Sequence, residues 1–373
     1  MHLYVHIPFC KQACHYCDFH FSTNQRGRPA LLDALCAEIE LQKNYLPGPE
    51  LETIYFGGGT PSLLTQGELE QLFTAIHAHF TVLPGAEITL EANPDDLTTD
   101  RLLAIRRFAN RLSIGIQTFD ETTLRWMNRA HTATEAETCV RRAQDAGFDN
   151  LSVDLIYGIP NRDASRWAYD LARMLDLGVP HLSAYALTIE PDTAFGRWTK
   201  TGKMVPADEG VAASQFEELT TALTQAGYEH YEISNFARPG QYAWHNTAYW
   251  QRKPYLGIGP SAHSYNGTSR QYNISTNARY TSELTQGHLP ATVEVLSVAD
   301  QVNEYLLTGL RTQWGCSQTE LDMLLGRNFA QEQAPNLVAM QQAGWLRIQN
   351  GWLRLTTAGK LFADRVAATL FVE

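Results

Sequence analysis

Between Leu3 and about Ile233, short strand-like runs alternate with amphipathic helical stretches, and this alternation limits the fold more than any other feature of the chain. The spacing predicts strands at Leu3–Ile7, Thr53–Phe56, Glu87–Glu91, Arg111–Ile116, Asn150–Leu155 and His181–Ala186. Helices fill the gaps. Over Ala30–Gln42, for example, Leu31, Leu35 and Ile39 share one face, with Leu32 and Cys36 beside it. Strand, helix, strand at this spacing reads as parallel βαβ units with right-handed crossovers. Six such units make a partial α/β barrel or a doubly wound sheet. The barrel is favoured by where the chemically unusual residues fall: Cys10, Gly57–Thr60, Glu91, Gln117, Asp154 and Tyr185 all lie at or just after predicted strand ends. In a parallel barrel those ends meet on one face, where active sites are built.

Past Ile233 the pattern changes. Residues 234–290 are aromatic and rich in Gly and Asn, with little periodicity, and read as a connecting segment. Residues 291–373 regain helical patterning at Val298–Leu310 and Gln318–Leu325. A hairpin follows, Trp345–Gln349 and Trp352–Thr356, turned by Asn350-Gly351, and then a last helix from about Ala358. That order resembles a winged-helix module. Its 8 acidic and 6 basic side chains argue for packing or docking rather than DNA binding, and the net charge of −11 over the whole chain argues against tracking a phosphate backbone.

With 44% hydrophobic and 18% charged residues, 373 residues suffice for one large and one smaller unit. No apolar run approaches the roughly 18 residues that span a bilayer. Met1 leads straight into strand-like sequence, without the pattern of a secretory signal, so a cytoplasmic location is expected. In that reducing setting the six cysteines are expected to be ligands, catalytic groups or core fillers rather than disulfides. Cys36, Cys139 and Cys316, each isolated, read as core fillers.

The remaining three stand together in Cys10-Lys-Gln-Ala-Cys14-His-Tyr-Cys17, on a loop after the first strand. Three thiolates so close can wrap one face of an iron–sulfur cubane, leaving a fourth iron open to an exogenous chelator. The alternative is a structural zinc with His6, His15 or His20 as fourth ligand. Such sites usually pair two C-x2–4-C units, and no second unit exists here.

The run Tyr4-Val-His-Ile-Pro-Phe-Cys10, with its C-x3-C-x2-C spacing, resembles the radical S-adenosylmethionine (SAM) superfamily. Within it, the sequence looks like the branch that contains oxygen-independent coproporphyrinogen III oxidase and the HemW-type haem chaperones. Further matches are Gly57-Gly-Gly-Thr60-Pro61-Ser62, Glu91-Ala-Asn93-Pro94, Ser113-Ile-Gly-Ile-Gln117, Asp154-Leu-Ile-Tyr-Gly158-Ile-Pro160 and Tyr231-Glu-Ile-Ser-Asn235. The resemblance runs through nearly the whole chain. It implies a partial (β/α)6 TIM-like barrel of the radical SAM type, followed by the helical, winged-helix-like module. It also implies a [4Fe–4S] cluster on Cys10, Cys14 and Cys17.

By the same resemblance, Tyr4, Gly58, Gly59 and Thr60 contact SAM near its methionine end. Glu91, Gln117, Arg129 and Asp154 join the pocket, and Ala186 touches adenine through its backbone. Physically, glycines allow close backbone approach, carboxylates suit ribose hydroxyls, and an arginine suits the SAM carboxylate. Glu91 and Asp154 could instead cap the next helices, although Asn93, Asp95 and Asp96 could cap equally well.

Two features separate the branches. The oxidases carry a fourth cysteine two residues after the third, where this chain has Phe19, and an N-terminal extension where this chain starts at the strand. Both favour the chaperone branch, as does His245-Asn246-Thr-Ala-Tyr249-Trp250, similar to the H-N-x-x-Y-W motif in which the histidine is implicated in haem binding. Neutral imidazole is a common haem ligand, and Tyr249 with Trp250 could flank the macrocycle. His245 could equally pack a loop, and His263 is the weaker ligand candidate. The reading is therefore a haem chaperone serving haem-requiring proteins, respiratory enzymes among them, with contact to membrane proteins allowed. The alternative is a coproporphyrinogen oxidase or related tetrapyrrole-modifying enzyme. Modification of RNA is disfavoured by the acidic charge.

Overall fold

The computed structural model describes residues 1–373. Six strands, β1 (His2–Ile7), β2 (Glu50–Gly58), β3 (Thr81–Ala92), β4 (Arg111–Gln117), β5 (Asn150–Tyr157) and β6 (His181–Ala186), lie side by side in chain order and all parallel. Their alternation sorts the side chains. Leu3, Val5 and Ile7 are buried against the outer helices, while Tyr4 and His6 point to the other face. The helix Arg28–Leu41 covers β1 with Leu31, Leu32, Leu35 and Ile39, all fully buried, at about 1.5–3 kcal/mol each. Later helices start where their sequences provide for it: Thr65 with Glu68, and Thr132 with Glu135, form capping boxes before Gln66–His79 and Ala133–Asp145.

The sheet does not stop at six strands. Beyond β6 it continues through the antiparallel hairpin β7 (Glu229–Glu232) and β8 (Asn235–Ala237), with β8 against β6. Beyond β1 it continues through β9 (Tyr255–Ile258), parallel to β1, and then antiparallel β10 (His263–Tyr265), β11 (Ser269–Asn273) and β12 (Ala291–Val295). Residues 234–290 thus supply strands to both edges. Between these edges the helix Trp244–Trp250 crosses the barrel beside the strand starts. The backbone N–H groups of Trp244 and His245 both donate to the Glu87 carboxylate at 3.0 Å.

Residues 296–373 build a separate core from Val302, Leu306, Leu310, Leu321, Phe329, Leu353 and Leu370. A small sheet of β13 (Cys316–Ser317), β14 (Leu346–Gln349) and β15 (Trp352–Leu355) sits on its helices. Asn350 and Gly351 both take positive φ, 52° and 76°, as a two-residue hairpin of this type requires. The module docks on the β7 edge. Ile233 N–H donates to Arg311 O at 3.0 Å, Gln313 N–H to Tyr231 O at 2.9 Å, and Lys360 Nζ to His230 O at 3.1 Å. No helix is long and apolar enough to cross a membrane.

Candidate cofactor pocket

A cavity of about 380 Å3 opens at the C-terminal ends of the parallel strands. Its wall brings together Cys10, Cys14, Cys17, Gly58, Gly59, Thr60, Glu91, Gln117, Arg129, Asp154 and Ala186. These residues span six strand ends, so only the barrel could have assembled them. Two of the sequence candidates lie elsewhere. Tyr4 and His245 line a neighbouring cavity of about 460 Å3, on the far side of Glu91.

The cysteine loop is fixed from several sides. Cys10 N–H donates to Ser22 O at 3.1 Å, and His15 N–H to Met127 O at 3.0 Å. Gln12 Nε2 reaches Asn128 Oδ1 at 2.7 Å, Asn128 Nδ2 reaches Ala13 O at 2.7 Å, and Lys11 Nζ reaches Asp95 at 2.7 Å. The thiols themselves meet donors: Thr60 Oγ1 stands 3.4 Å from Cys10 Sγ, and Arg129 Nη1 3.3 Å from Cys14 Sγ. Burial pushes the Cys17 thiol up to about 12 and raises that of Cys10 as well, so a cationic iron core would be what lets them ionise. No three His, Cys, Asp or Glu side chains converge tightly enough for one metal ion, as a tetrahedral zinc requires. Each histidine offered as a fourth zinc ligand has at least one ring nitrogen hydrogen-bonded, and His20 gives its Nε2 to Asn277 Oδ1 at 2.6 Å. His6 is bonded to Tyr4 and His20 O, and His15 Nδ1 to Trp126 O at 2.8 Å.

The glycine turn is dictated by packing. Gly58 has φ +102°, and a Cβ there would sit 2.4 Å from the His6 ring; one on Gly59 would lie 2.7 Å from Ile7 O. Glu91 is not idle. Its carboxylate accepts from Tyr55 OH at 2.8 Å and Gly58 N–H at 3.1 Å, locking the turn to β3. Desolvation raises the Glu91 carboxyl to about 7, against the pull of Tyr55, and raises Asp154 to about 6. Asp154 accepts from Ser113 Oγ at a loose 3.3 Å, which leaves it acceptor capacity. Gln117 ends β4 at φ +69°, after a register shift, a strained backbone that turns its side chain into the cavity.

Asn93 is one of three residues that the sequence offers as possible helix caps. It caps nothing; Nδ2 donates to Thr60 Oγ1 at 3.1 Å and Oδ1 accepts from Arg129 Nη2 at 2.6 Å, tying the glycine turn to the arginine. Arg129 Nη2 also donates to Gly115 O at 2.7 Å, while its buried Nε has no partner. An orphan donor in such a wall suits an anionic ligand group, and the zwitterionic end of SAM provides one.

His245 is 1% exposed, and both ring nitrogens are taken: Nδ1 by Thr53 Oγ1 at 2.6 Å and Nε2 by Tyr249 OH at 2.8 Å. In this arrangement it offers iron no nitrogen. It closes a polar layer across β1 to β4 with His2, Thr53, Glu87 and Arg111. Cys139 and Cys316 are fully buried away from the pocket and Cys36 is partly buried, as core fillers would be.

A parallel barrel with three cysteines after its first strand defines a radical SAM protein. The family model of the radical SAM superfamily matches residues 4–172, and that of the HemN C-terminal domain residues 296–362. Coproporphyrinogen III oxidase (HemN) from Escherichia coli, a solved radical SAM enzyme, superimposes with a TM-score of 0.86 over 99% of this chain and 89% of its own; at 24% identity this shows a shared fold. "Heme chaperone HemW" of Bacillus subtilis (strain 168) is 31% identical, covering 99% of each chain. That of E. coli K12 is 32% identical over 100% of this chain and 98% of its own. The chain belongs to the HemW-type haem chaperone family of radical SAM proteins.

Proposed function

We propose that this protein binds haem and passes it to haem-requiring proteins, respiratory enzymes among them, while carrying a [4Fe–4S] cluster on Cys10, Cys14 and Cys17 and binding SAM beside it. The observation that carries the chaperone reading over an oxidase is Phe19. It stands where the related oxidases have a fourth cysteine and is 69% exposed at the junction of three cavities. Apolar surface at that place suits a flat macrocycle.

When bound, the cluster would supply one-electron chemistry at the SAM sulfonium. The rest falls to this chain's own groups. The Gly58–Gly59 backbone and Thr60 would line the methionine end, and Arg129 would offer its free Nε–H to the carboxylate. Asp154 and Gln117 would orient the ribose, and the exposed backbone about Ala186 the adenine. Glu91 would act by holding Gly58 in its turn.

The test is anaerobic. Reconstituted protein should take up about one haem per chain, and with SAM, reductant and coproporphyrinogen should make no protoporphyrinogen. Clear decarboxylation would reverse the assignment in favour of an oxidase.

A further inference from the structure

The cavity of about 460 Å3 beside the SAM pocket has four histidines in its wall, and they are not equivalent. His6 is bonded at both nitrogens, to Tyr4 OH at 3.0 Å and His20 O at 2.9 Å. His245 is bonded at both as well. His20 gives Nε2 to Asn277 Oδ1 at 2.6 Å. His263 alone is exposed with neither nitrogen engaged in a hydrogen bond.

His263 also stands at a junction. With Ser261 it lines a second cavity, of about 540 Å3, whose wall includes Tyr272 and Arg279. Tyr272 is 43% exposed, pairs with His263 across β10 and β11, and sets its ring 5.8 Å away at 31°. Arg279 is exposed and forms no ion pair, although Glu283 shares its wall and lies near His288. The turn that presents His263 is rigid. Gly259 N–H donates to buried Glu38 at 2.8 Å, Ser261 N–H to Ile274 O at 3.1 Å and Asn273 N–H to Ala262 O at 2.9 Å. Ser261 holds φ +64°, a conformation that a non-glycine residue keeps only where its surroundings enforce it.

Taking the haem-binding reading as given, we infer that the haem iron is ligated by His263 rather than His245. The porphyrin lies across the two adjoining cavities, with Phe19 offering apolar surface to its face, Tyr272 beside the ligating imidazole and its propionates towards Arg279. A free imidazole on a fixed turn, flat apolar surface and an unpaired guanidinium are the three things an iron porphyrin asks of a site. His245, by contrast, could bind iron only by giving up two hydrogen bonds and leaving the interior.

Ferric haem is titrated into full-length, cluster-loaded protein, reading affinity and the Soret band for the wild type, His263→Gly, Arg279→Gln and His245→Gln. His263→Gly should bind at least tenfold more weakly with a displaced Soret band, and added imidazole should restore the wild-type spectrum. Arg279→Gln should weaken binding about threefold to tenfold with the Soret band unmoved. His245→Gln keeps hydrogen-bonding capacity inside the barrel and should show the wild-type spectrum. A His263→Gly variant with wild-type affinity and spectrum overturns the inference, as does a Soret change confined to His245→Gln. Failure of the wild type to take up haem at all would instead sink the proposed function.

Discussion

Glu38 lies in the helix Arg28–Leu41, fully buried, with three neutral donors on its carboxylate: Gly259 N–H at 2.8 Å, Asn273 Nδ2 at 2.6 Å and the Tyr280 hydroxyl. Desolvation pushes its carboxyl up from 4.5 to about 7, and the hydrogen bonds keep it from rising further. Folding therefore takes up a proton here. The stabilisation this brings is fully present below the unfolded value, about 4.5, and is lost as pH rises through the folded value, about 7. At about 1.4 kcal/mol per pH unit, Glu38 costs the fold about 2.5 kcal/mol between about pH 5 and about pH 8. Glu38→Gln has the same shape and no proton to lose. Urea unfolding of both proteins across that range should show the variant gaining on the wild type by about this amount as pH rises, which cancels every other titrating group from the comparison. A stability difference that stays flat with pH would show that Glu38 does not titrate as its burial requires.

Two further outcomes follow from the pocket. Replacing Cys10, Cys14 and Cys17 together with alanine should abolish iron and sulfide uptake on anaerobic reconstitution, while Cys36→Ala, Cys139→Ala and Cys316→Ala should each leave about four irons per chain; stoichiometric zinc in the wild type would contradict it. Asn93→Ala cuts the link between Thr60 and Arg129 at 3.1 and 2.6 Å and should weaken SAM binding about tenfold by calorimetry with the iron content unchanged; unaltered affinity would remove Asn93 from the site.

The parallel strands were legible because each side chain's surroundings follow from its own neighbours. The run Leu3–Ile7 falls within a residue of the observed strand and β6 matches at both ends, whereas β2 begins three residues and β3 six residues before the runs that marked them. The strands of 234–290 were not legible. β8, β9, β10 and β11 are only three to five residues long, and what makes them strands is pairing with β1 and β6, far off in sequence. The pocket divides the same way. Cysteine and glycine spacing exposed the turn chemistry, whereas Asn93, between a strand and a proline, looked like any helix cap. Tyr4 was named through motif matching, which says nothing of where the ring turns. Its ring stacks on Tyr55, 6.1 Å away, and faces the adjoining cavity. His245 shows the limit most sharply, because its nearest partner, Thr53, lies 192 residues earlier. A motif records that an imidazole is present and says nothing of whether its lone pair is free.

That limit bears on what the His245–Trp250 motif does. In register across β1, β2, β3 and β4, His2, Thr53, Glu87 and Arg111 form one buried layer, and Thr53 Oγ1 meets both His2 Nδ1 at 3.0 Å and His245 Nδ1 at 2.6 Å. The carboxylate of Glu87 spends both oxygens on the first N–H groups of the helix Trp244–Trp250. Removing His245 would leave Thr53 with His2 alone and the Tyr249 hydroxyl without its partner, a loss of about 1–3 kcal/mol for an unsatisfied buried group. From its other end that helix sends Tyr249 against Tyr255 of β9, at 4.4 Å between rings, and β9 leads directly into the turn that carries His263. The motif thus stands between the barrel floor and the cavity wall. Its histidine holds Thr53 of β2 to Tyr249, and Tyr249 packs on Tyr255, so the imidazole serves the barrel with both nitrogens and has none left for iron.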